Sequence, residues 1–149
     1  MRGGQAQPSR LRSEAWLLRG ISSVPGHLAL TPDRLTFIAD GPGTAWRWQL
    51  RKLERHLRTP GLAARIDAAK TILVLDAPLA ELSVTFPWYY FSGGLKVGYR
   101  DASLRFSFGR PPNTAEGRRG VAAGLHEITS MRSVGKAWSA ALQRHPGSR

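Results

Sequence analysis

The sequence predicts a mainly β domain in which a sheet, closed or nearly closed on itself, is covered at one end by a C-terminal helix. Three observations lead to this fold class. Short runs that alternate apolar and polar residues recur along the chain, as is typical of half-buried strands. A segment near residues 45–70 interrupts them with helical spacing. Residues 113–144 then carry one apolar stripe, which predicts a helix that buries the apolar mouth of the sheet.

Length and composition favour a single domain over residues 13–143 of the 149-residue chain. Residues 1–12 are polar and are predicted to be a disordered N-terminal tail, and residues 144–149 are predicted to be a C-terminal tail. The absence of cysteine excludes disulfides, thiolate metal sites and cysteine nucleophiles. No apolar run approaches a membrane span and the N-terminus lacks the apolar core of a signal peptide, so we expect a cytoplasmic protein.

The first strands are predicted around a tight hairpin. Thr31, Pro32, Asp33 and Arg34 separate two short apolar runs, and proline followed by aspartate suits the central positions of a turn. Alternation then places Leu28, Leu30, Leu35 and Phe37 on the buried face of two strands. Before the hairpin, residues 13–20 are predicted to be a first strand and residues 22–26 a turn that contains Pro25 and Gly26.

The segment after the hairpin fits two structures. Trp46, Leu50, Leu53 and Leu57 are 4, 3 and 4 residues apart, which favours a helix over residues 45–58. Alternation at the beginning of residues 46–53 fits a strand instead. A break is predicted at residues 59–61, which contain proline and glycine, and a second helix at residues 62–69.

The remaining elements are strands followed by the terminal helix. Strand cores are predicted at residues 71–75, which Asp76, Ala77 and Pro78 interrupt, and at residues 82–86. Alternation predicts two further strands, one with Leu95, Val97 and Tyr99 and the next with Leu104, Phe106 and Phe108. Helical spacing predicts the apolar stripe of the terminal helix, which consists of Val121, Leu125, Ile128, Met131, Val134, Trp138 and Leu142.

The excess of positive charge suggests an anionic partner. The 22 Lys and Arg residues exceed the 10 Asp and Glu residues, for a net charge of +12, as is typical of proteins that bind nucleic acid or an anionic membrane. In a helix, Arg51, Arg55 and Arg58 share one face. The candidate anionic-surface contacts are Arg47, Arg51, Lys52, Arg55 and Arg58, and the alternative for them is an ordinary solvated face.

A second candidate surface is aromatic. Trp88, Tyr89, Tyr90 and Phe91 follow the strand at residues 82–86, and such rings suit a membrane interface or a protein partner. The alternative is that they fill the core and cover the sheet.

No catalytic motif, cofactor motif or metal-ligand spacing is present, so no catalytic, cofactor-binding or metal-binding residue is predicted. The histidines are far apart in sequence: His27, His56, His126 and His145.

Five segments resemble, in order, the GRAM and bacterial pleckstrin-homology-like (PH-like) domains: residues 26–37, 77–82, 94–97 and 104–108, and Trp138 with Leu142. The resemblance implies a PH-like closed or split β-barrel with a C-terminal capping helix, to which residues 45–70 add a helical insertion. Phosphoinositide-binding relatives place several basic residues around the loop between their first two strands. Here that loop is predicted at residues 20–26, where only Arg19 and His27 flank it.

These observations predict a non-catalytic PH-like binding module for a protein partner or an anionic membrane surface, and therefore a cytoplasmic protein that associates peripherally with membranes. The alternative is a basic nucleic-acid-binding domain. An enzyme or a small-ligand carrier is a third hypothesis, but it requires an internal cavity. A barrel filled by Trp16, Leu30, Phe37, Phe106 and Trp138 would leave little room for one.

Overall fold

The computed structural model describes residues 11–20, 22–68, 71–87, 93–109 and 132–142. A single 3-10 turn, Leu79–Glu81, joins the fourth strand to the fifth. The strands and helices are β1 Leu11–Arg19, β2 Ser22–Leu30, β3 Arg34–Ala39, α1 Arg47–Leu57, α2 Leu62–Ala68, β4 Ile72–Pro78, β5 Ser83–Thr85, β6 Gly94–Tyr99, β7 Ala102–Ser107 and α3 over 132–142.

The seven strands form one antiparallel sheet in the order β4-β3-β2-β1-β7-β6-β5. Strand β1 links the two halves, because it pairs with β2 along its whole length and with β7 near its end. The described part of β4 does not pair with β5, so the sheet is split rather than closed. This strand order, the helical insertion between β3 and β4 and the terminal helix confirm the predicted architecture of a split sheet with a helical insertion and a C-terminal helix.

The core contains the buried residues of the strands together with those of the helices. The rings of Phe37 on β3 and Phe106 on β7 are tilted against each other at 57°, with 4.9 Å between their centroids, within the separation at which aromatic pairs attract. Trp138 of α3 is completely buried and stacks on Phe108. Trp16, by contrast, is only half-buried: Ala15 and Leu17 point into the core, so alternation turns Trp16 to the other face. The prediction that Trp16 fills the core is therefore wrong.

The predicted hairpin is confirmed, with Leu28 opposite Phe37 and Leu30 opposite Leu35. The turn predicted at residues 22–26 is wrong, because these residues begin β2. The carbonyl of Pro25 accepts a hydrogen bond of 2.8 Å from the N–H of Asp40, so it faces the side of β3. The N–H and the carbonyl of one strand residue face the same neighbour, so the N–H that proline lacks would also lie on this side, beyond the last β2–β3 pair, Gly26 with Ala39. Proline is tolerated at such a position because no ladder hydrogen bond is lost.

Two other boundaries differ from the prediction. Strand β1 begins at Leu11, two residues before the predicted start of the first strand at residue 13. Strand β4 continues through Asp76 and Ala77 to Pro78 rather than stopping at residue 75. It is an edge strand, and its ladder with β3 shifts register at Phe37 and Ile38. Edge strands are where a sheet accepts proline.

Within the described ranges, no helix is long and apolar enough to cross a membrane.

Candidate anion-binding site

Three connections meet at one end of the sheet. In an antiparallel sheet, alternate connections lie at the same end, and the pairing of β1 with β7 brings the β6–β7 turn to the end of β1. The connection between β3 and β4 contains both helices of the insertion. Helix α1 therefore lies beside the β1–β2 and β6–β7 turns. The strand alternative for residues 46–53 is excluded, since α1 begins at Arg47.

The first turn of α1 is attached to β1 by Gln49, which is almost fully buried. Its Nε2 donates a hydrogen bond of 2.8 Å to the carbonyl of Arg19, and its Oε1 accepts one of 2.8 Å from the N–H of Trp46. The second bond satisfies one of the N–H groups that a helix leaves free at its start. One side chain thus fixes both the beginning of the helix and its distance from the sheet.

The last turn of α1 is attached to the β6–β7 turn. Nη1 of Arg100 donates a hydrogen bond of 2.7 Å to the carbonyl of Leu57, a position where a cation also complements the helix dipole. Arg58 ends the helix in the left-handed region, at φ 55°. Its Nη2 lies 2.9 Å from Oδ2 of Asp101. Because both ends of α1 are attached to strand turns, its outer face has a defined position relative to the sheet.

Helix α2 is attached to α1 by polar contacts. Oε1 of Glu54 accepts a hydrogen bond of 3.0 Å from the N–H of Ala63, in the first turn of α2. Nη2 of Arg47 forms an exposed ion pair of 3.0 Å with Oδ2 of Asp67.

The two faces of α1 differ sharply. Leu50, Leu53 and Leu57 are buried, as the spacing predicted. Trp46 does not belong to this stripe: it is the N-cap residue and is 65% exposed. The opposite face has one tryptophan and three cations at positions i, i+3, i+4 and i+7, which share a helix face. We call this exposed set the outer face of α1, and it consists of Trp48, Arg51, Lys52 and Arg55.

A groove of about 420 Å³ separates α1 from the end of β1 and the beginning of β7. Cationic side chains from three elements line it: Arg19 of β1, Lys52 of α1 and Arg105 of β7. We call it the basic groove, and its lining consists of Leu18, Arg19, Gly20, Trp48, Gln49, Lys52, His56, Asp101, Ser103 and Arg105.

The basic groove holds more positive charge than the described residues neutralise. Burial, and then the charge of nearby Arg105, lower the pKa of Arg19. In the described ranges Arg19, Lys52 and Arg105 form no ion pair, and the carboxylate of Asp101 is paired with Arg58. A half-buried guanidinium beside a like charge is unfavourable, so a bound anion would be stabilised here.

The predicted basic contacts fall into two groups, exposed cations of α1 and cations held in ion pairs. Arg51 and Arg55 are exposed on the outer face of α1, and Lys52 on the same face also lines the basic groove. Arg47 and Arg58 are held in ion pairs, and Arg58 lies beyond the end of the helix rather than on its face. The aromatic candidates Trp88, Tyr89, Tyr90 and Phe91 lie outside the described residues.

The sequence did not single out the two arginines from the sheet. The loop predicted at residues 20–26 is wrong, because β1 and β2 pair as far as Arg19 and Ser22. This pairing leaves Arg19 beside the connection and α1. Arg105 occupies an ordinary outward position of β7, opposite Leu18 of β1, and only this long-range pairing brings it to the groove.

The described ranges contain no group of three or more His, Asp or Glu side chains that could hold a metal ion. Besides its basic side chains, the groove offers His56, the ion-paired Asp101 and the hydroxyl of Ser103. The arrangement is suited to holding an anion by charge and hydrogen bonds.

No protein-family model and no curated protein sequence matches this chain. Among solved structures, the chain is similar to the Slm1 PH domain, crystallised in complex with inositol-4-phosphate. The two are 12% identical, the match covers 87% of this chain and 98% of the other, and the TM-score is 0.38.

Proposed function

We propose that this protein is a non-catalytic module that binds an anionic membrane surface through the basic groove and the cations on the outer face of α1. The observation that carries the proposal is the convergence of Arg19, Lys52 and Arg105 on one groove whose only carboxylate among the described residues, that of Asp101, is paired with Arg58. An ordinary solvated face would spread like charges apart or pair them. A phosphate-bearing surface would offset their repulsion and accept their hydrogen bonds.

The cations on α1 support this proposal over a site for an isolated small anion. Arg51 and Arg55 are exposed beside the groove rather than inside it, so they add long-range attraction to an extended negative surface. Each cation close to an anionic membrane contributes about 1 kcal/mol, or about fivefold in affinity. The groove and the outer face of α1 together contribute five such residues, within the range of about four to eight that is typical of basic clusters on anionic membranes.

Vesicle co-sedimentation tests the proposal. The protein is mixed with phosphatidylcholine vesicles that contain none or about 30% phosphatidylserine, at several salt concentrations. We expect binding only to the anionic vesicles, with an affinity that decreases as salt increases. Lack of binding to anionic vesicles at low salt would contradict the proposal.

A matched pair of variants locates the binding surface. Arg105→Gln removes one charge from the basic groove, whereas Arg12→Gln removes one from the start of β1, at the opposite end of the sheet. We expect Arg105→Gln to weaken vesicle binding about fivefold and Arg12→Gln to have a much smaller effect. Equal effects would indicate attraction by net charge alone.

Nucleic acid remains the second candidate, because the groove places the exposed ring of Trp48 beside Lys52. Bases of a single strand stack on such rings while cations follow the backbone. This candidate predicts that a short single-stranded oligonucleotide binds more tightly than anionic vesicles and quenches the fluorescence of Trp48. The logarithm of its affinity would decrease linearly with the logarithm of salt concentration.

A further inference from the structure

Two tryptophans at the start of α1 are exposed to solvent without any evident structural need. Trp46 is 65% exposed and Trp48 is 63% exposed. The helix does not depend on their rings: Gln49 bonds the backbone of Trp46, and the buried stripe consists of three leucines. Large aromatic side chains are costly to leave in water, so this pair points to a role outside the folding of the chain.

The position of the two rings relative to the cations is specific. Trp48 begins the outer face of α1, and Lys52 and Arg55 follow one and two turns later. Trp46 extends the same end of the helix as its N-cap residue. Aromatic rings next to a row of cations are typical of segments that lie in the interface of a membrane. The cations contact the headgroups there, and the indole rings enter the boundary between headgroups and acyl chains.

We propose that Trp46 and Trp48 are interfacial anchors that insert into an anionic lipid surface while the cations of α1 contact its headgroups. The inference rests on the proposed function, and it adds an apolar component that charge alone does not supply. The occupant is a lipid surface because the row of cations complements its negative charge and the indole N–H can remain at the hydrated headgroup level.

Anchoring has a consequence that distinguishes it from electrostatic attraction. Salt screens the cations but leaves the burial of the indole rings almost unchanged. The double variant Trp46→Ala with Trp48→Ala should therefore bind anionic vesicles more weakly by a similar factor at every salt concentration. We expect roughly tenfold for each ring, the effect of losing about 55 Å² of apolar contact. Lys52→Gln should instead reduce the salt dependence.

Fluorescence reports insertion directly. The chain has no cysteine, so one introduced cysteine carries an environment-sensitive fluorophore at a single site. The labelled positions are Trp48→Cys at the proposed anchor and Asp33→Cys in the β2–β3 turn, at the opposite end of the sheet. Vesicles of phosphatidylcholine with about 30% phosphatidylserine are then added. We expect a blue shift and increased intensity at position 48 and no change at position 33.

Different results would contradict the tryptophan anchors and the proposed membrane-binding function. Vesicle binding without a spectral change at position 48, together with normal affinity of the double tryptophan variant, would overturn the anchors and retain the electrostatic module. Absence of vesicle binding by the wild-type protein would overturn both. Circular dichroism and urea unfolding check the folding of the double variant, which we expect to be unchanged because neither ring packs in the core. A weaker-binding variant with unchanged folding supports the anchors.

Discussion

Gln49 and Arg19 connect the insertion to the sheet: Nε2 of Gln49 lies 2.8 Å from the carbonyl oxygen of Arg19. This bond joins the first turn of α1 to the last residue of β1. The same residue of β1 contributes its guanidinium to the basic groove. The backbone of Arg19 thus holds the helix, and its side chain faces the space that the helix encloses.

Replacement of Gln49 by leucine should lower the free energy of unfolding by about 1–3 kcal/mol. Leucine has a similar size but leaves the carbonyl of Arg19 and the N–H of Trp46 without their partner, and unsatisfied groups of this kind cost that much when they are shielded from water. Urea unfolding measures the change. Arg51→Ala, on the exposed side of the same helix, is the matched control and should change stability by less than about 0.5 kcal/mol.

Gly43→Ala should be more destabilising than Gly61→Ala. Both glycines have positive φ, 59° and 83°, so both substitutions carry backbone strain. Only at Gly43 would the added Cβ overlap neighbouring atoms, those of Pro25 and Ser23 on β2, whereas nothing lies within 4 Å at Gly61. We expect a difference of about 1–3 kcal/mol in urea unfolding. Equal losses would show that the loop moves to accommodate the methyl group.

Local patterns predicted the elements well. Alternation located the hairpin of β2 and β3, and helical spacing located α1 within two residues at its start. Pro25 was misleading because its effect depends on which side of the strand has a partner, a property of the whole sheet. Trp46 was misplaced because spacing alone does not distinguish an N-cap residue from the first residue of an apolar stripe.

The basic groove was predictable only in part. The cations of α1 follow from local sequence, and Lys52 was among the predicted contacts. Arg105 reaches the groove because β7 pairs with β1 across almost ninety positions of sequence. No local pattern encodes such a pairing. The tight β1–β2 connection was not predicted for the same reason, because the pairing of Arg19 with Ser22 depends on the neighbours of both strands.

Ser13→Ala should destabilise the contact between α3 and the sheet. Nε1 of Trp138 donates a hydrogen bond of 2.9 Å to Oγ of Ser13, and the indole ring is otherwise completely buried against neighbours such as Phe108. Without the hydroxyl the indole N–H has no partner, at a cost of about 1–3 kcal/mol. Urea unfolding followed by tryptophan fluorescence tests this. Ser133→Ala on the exposed side of α3 should leave stability almost unchanged.

Asp101→Asn should strengthen binding to anionic vesicles. The substitution removes a negative charge from the lining of the basic groove and releases Arg58 from its ion pair of 2.9 Å. We expect about a fivefold gain in affinity in vesicle co-sedimentation. The stability cost should stay below about 1 kcal/mol, because both side chains of this pair are more than half exposed. Unchanged affinity would indicate that the bound surface does not approach the β6–β7 turn.

Arg105→Gln should separate stability from binding. Arg105 lowers the pKa of Arg19 through the repulsion of like charges, after the larger effect of burial. Its removal should therefore leave the fold as stable as before or more stable, by up to about 0.5 kcal/mol at low salt. The difference should decrease as salt screens the wild-type repulsion. Binding to anionic vesicles should weaken about fivefold in the same variant. A solvated surface arginine would affect neither measurement, and a structural arginine would lower both stability and binding. Stability and affinity changes of opposite sign at Arg105, with little change in affinity in Arg12→Gln, are expected of a residue kept for a ligand at some cost to the fold.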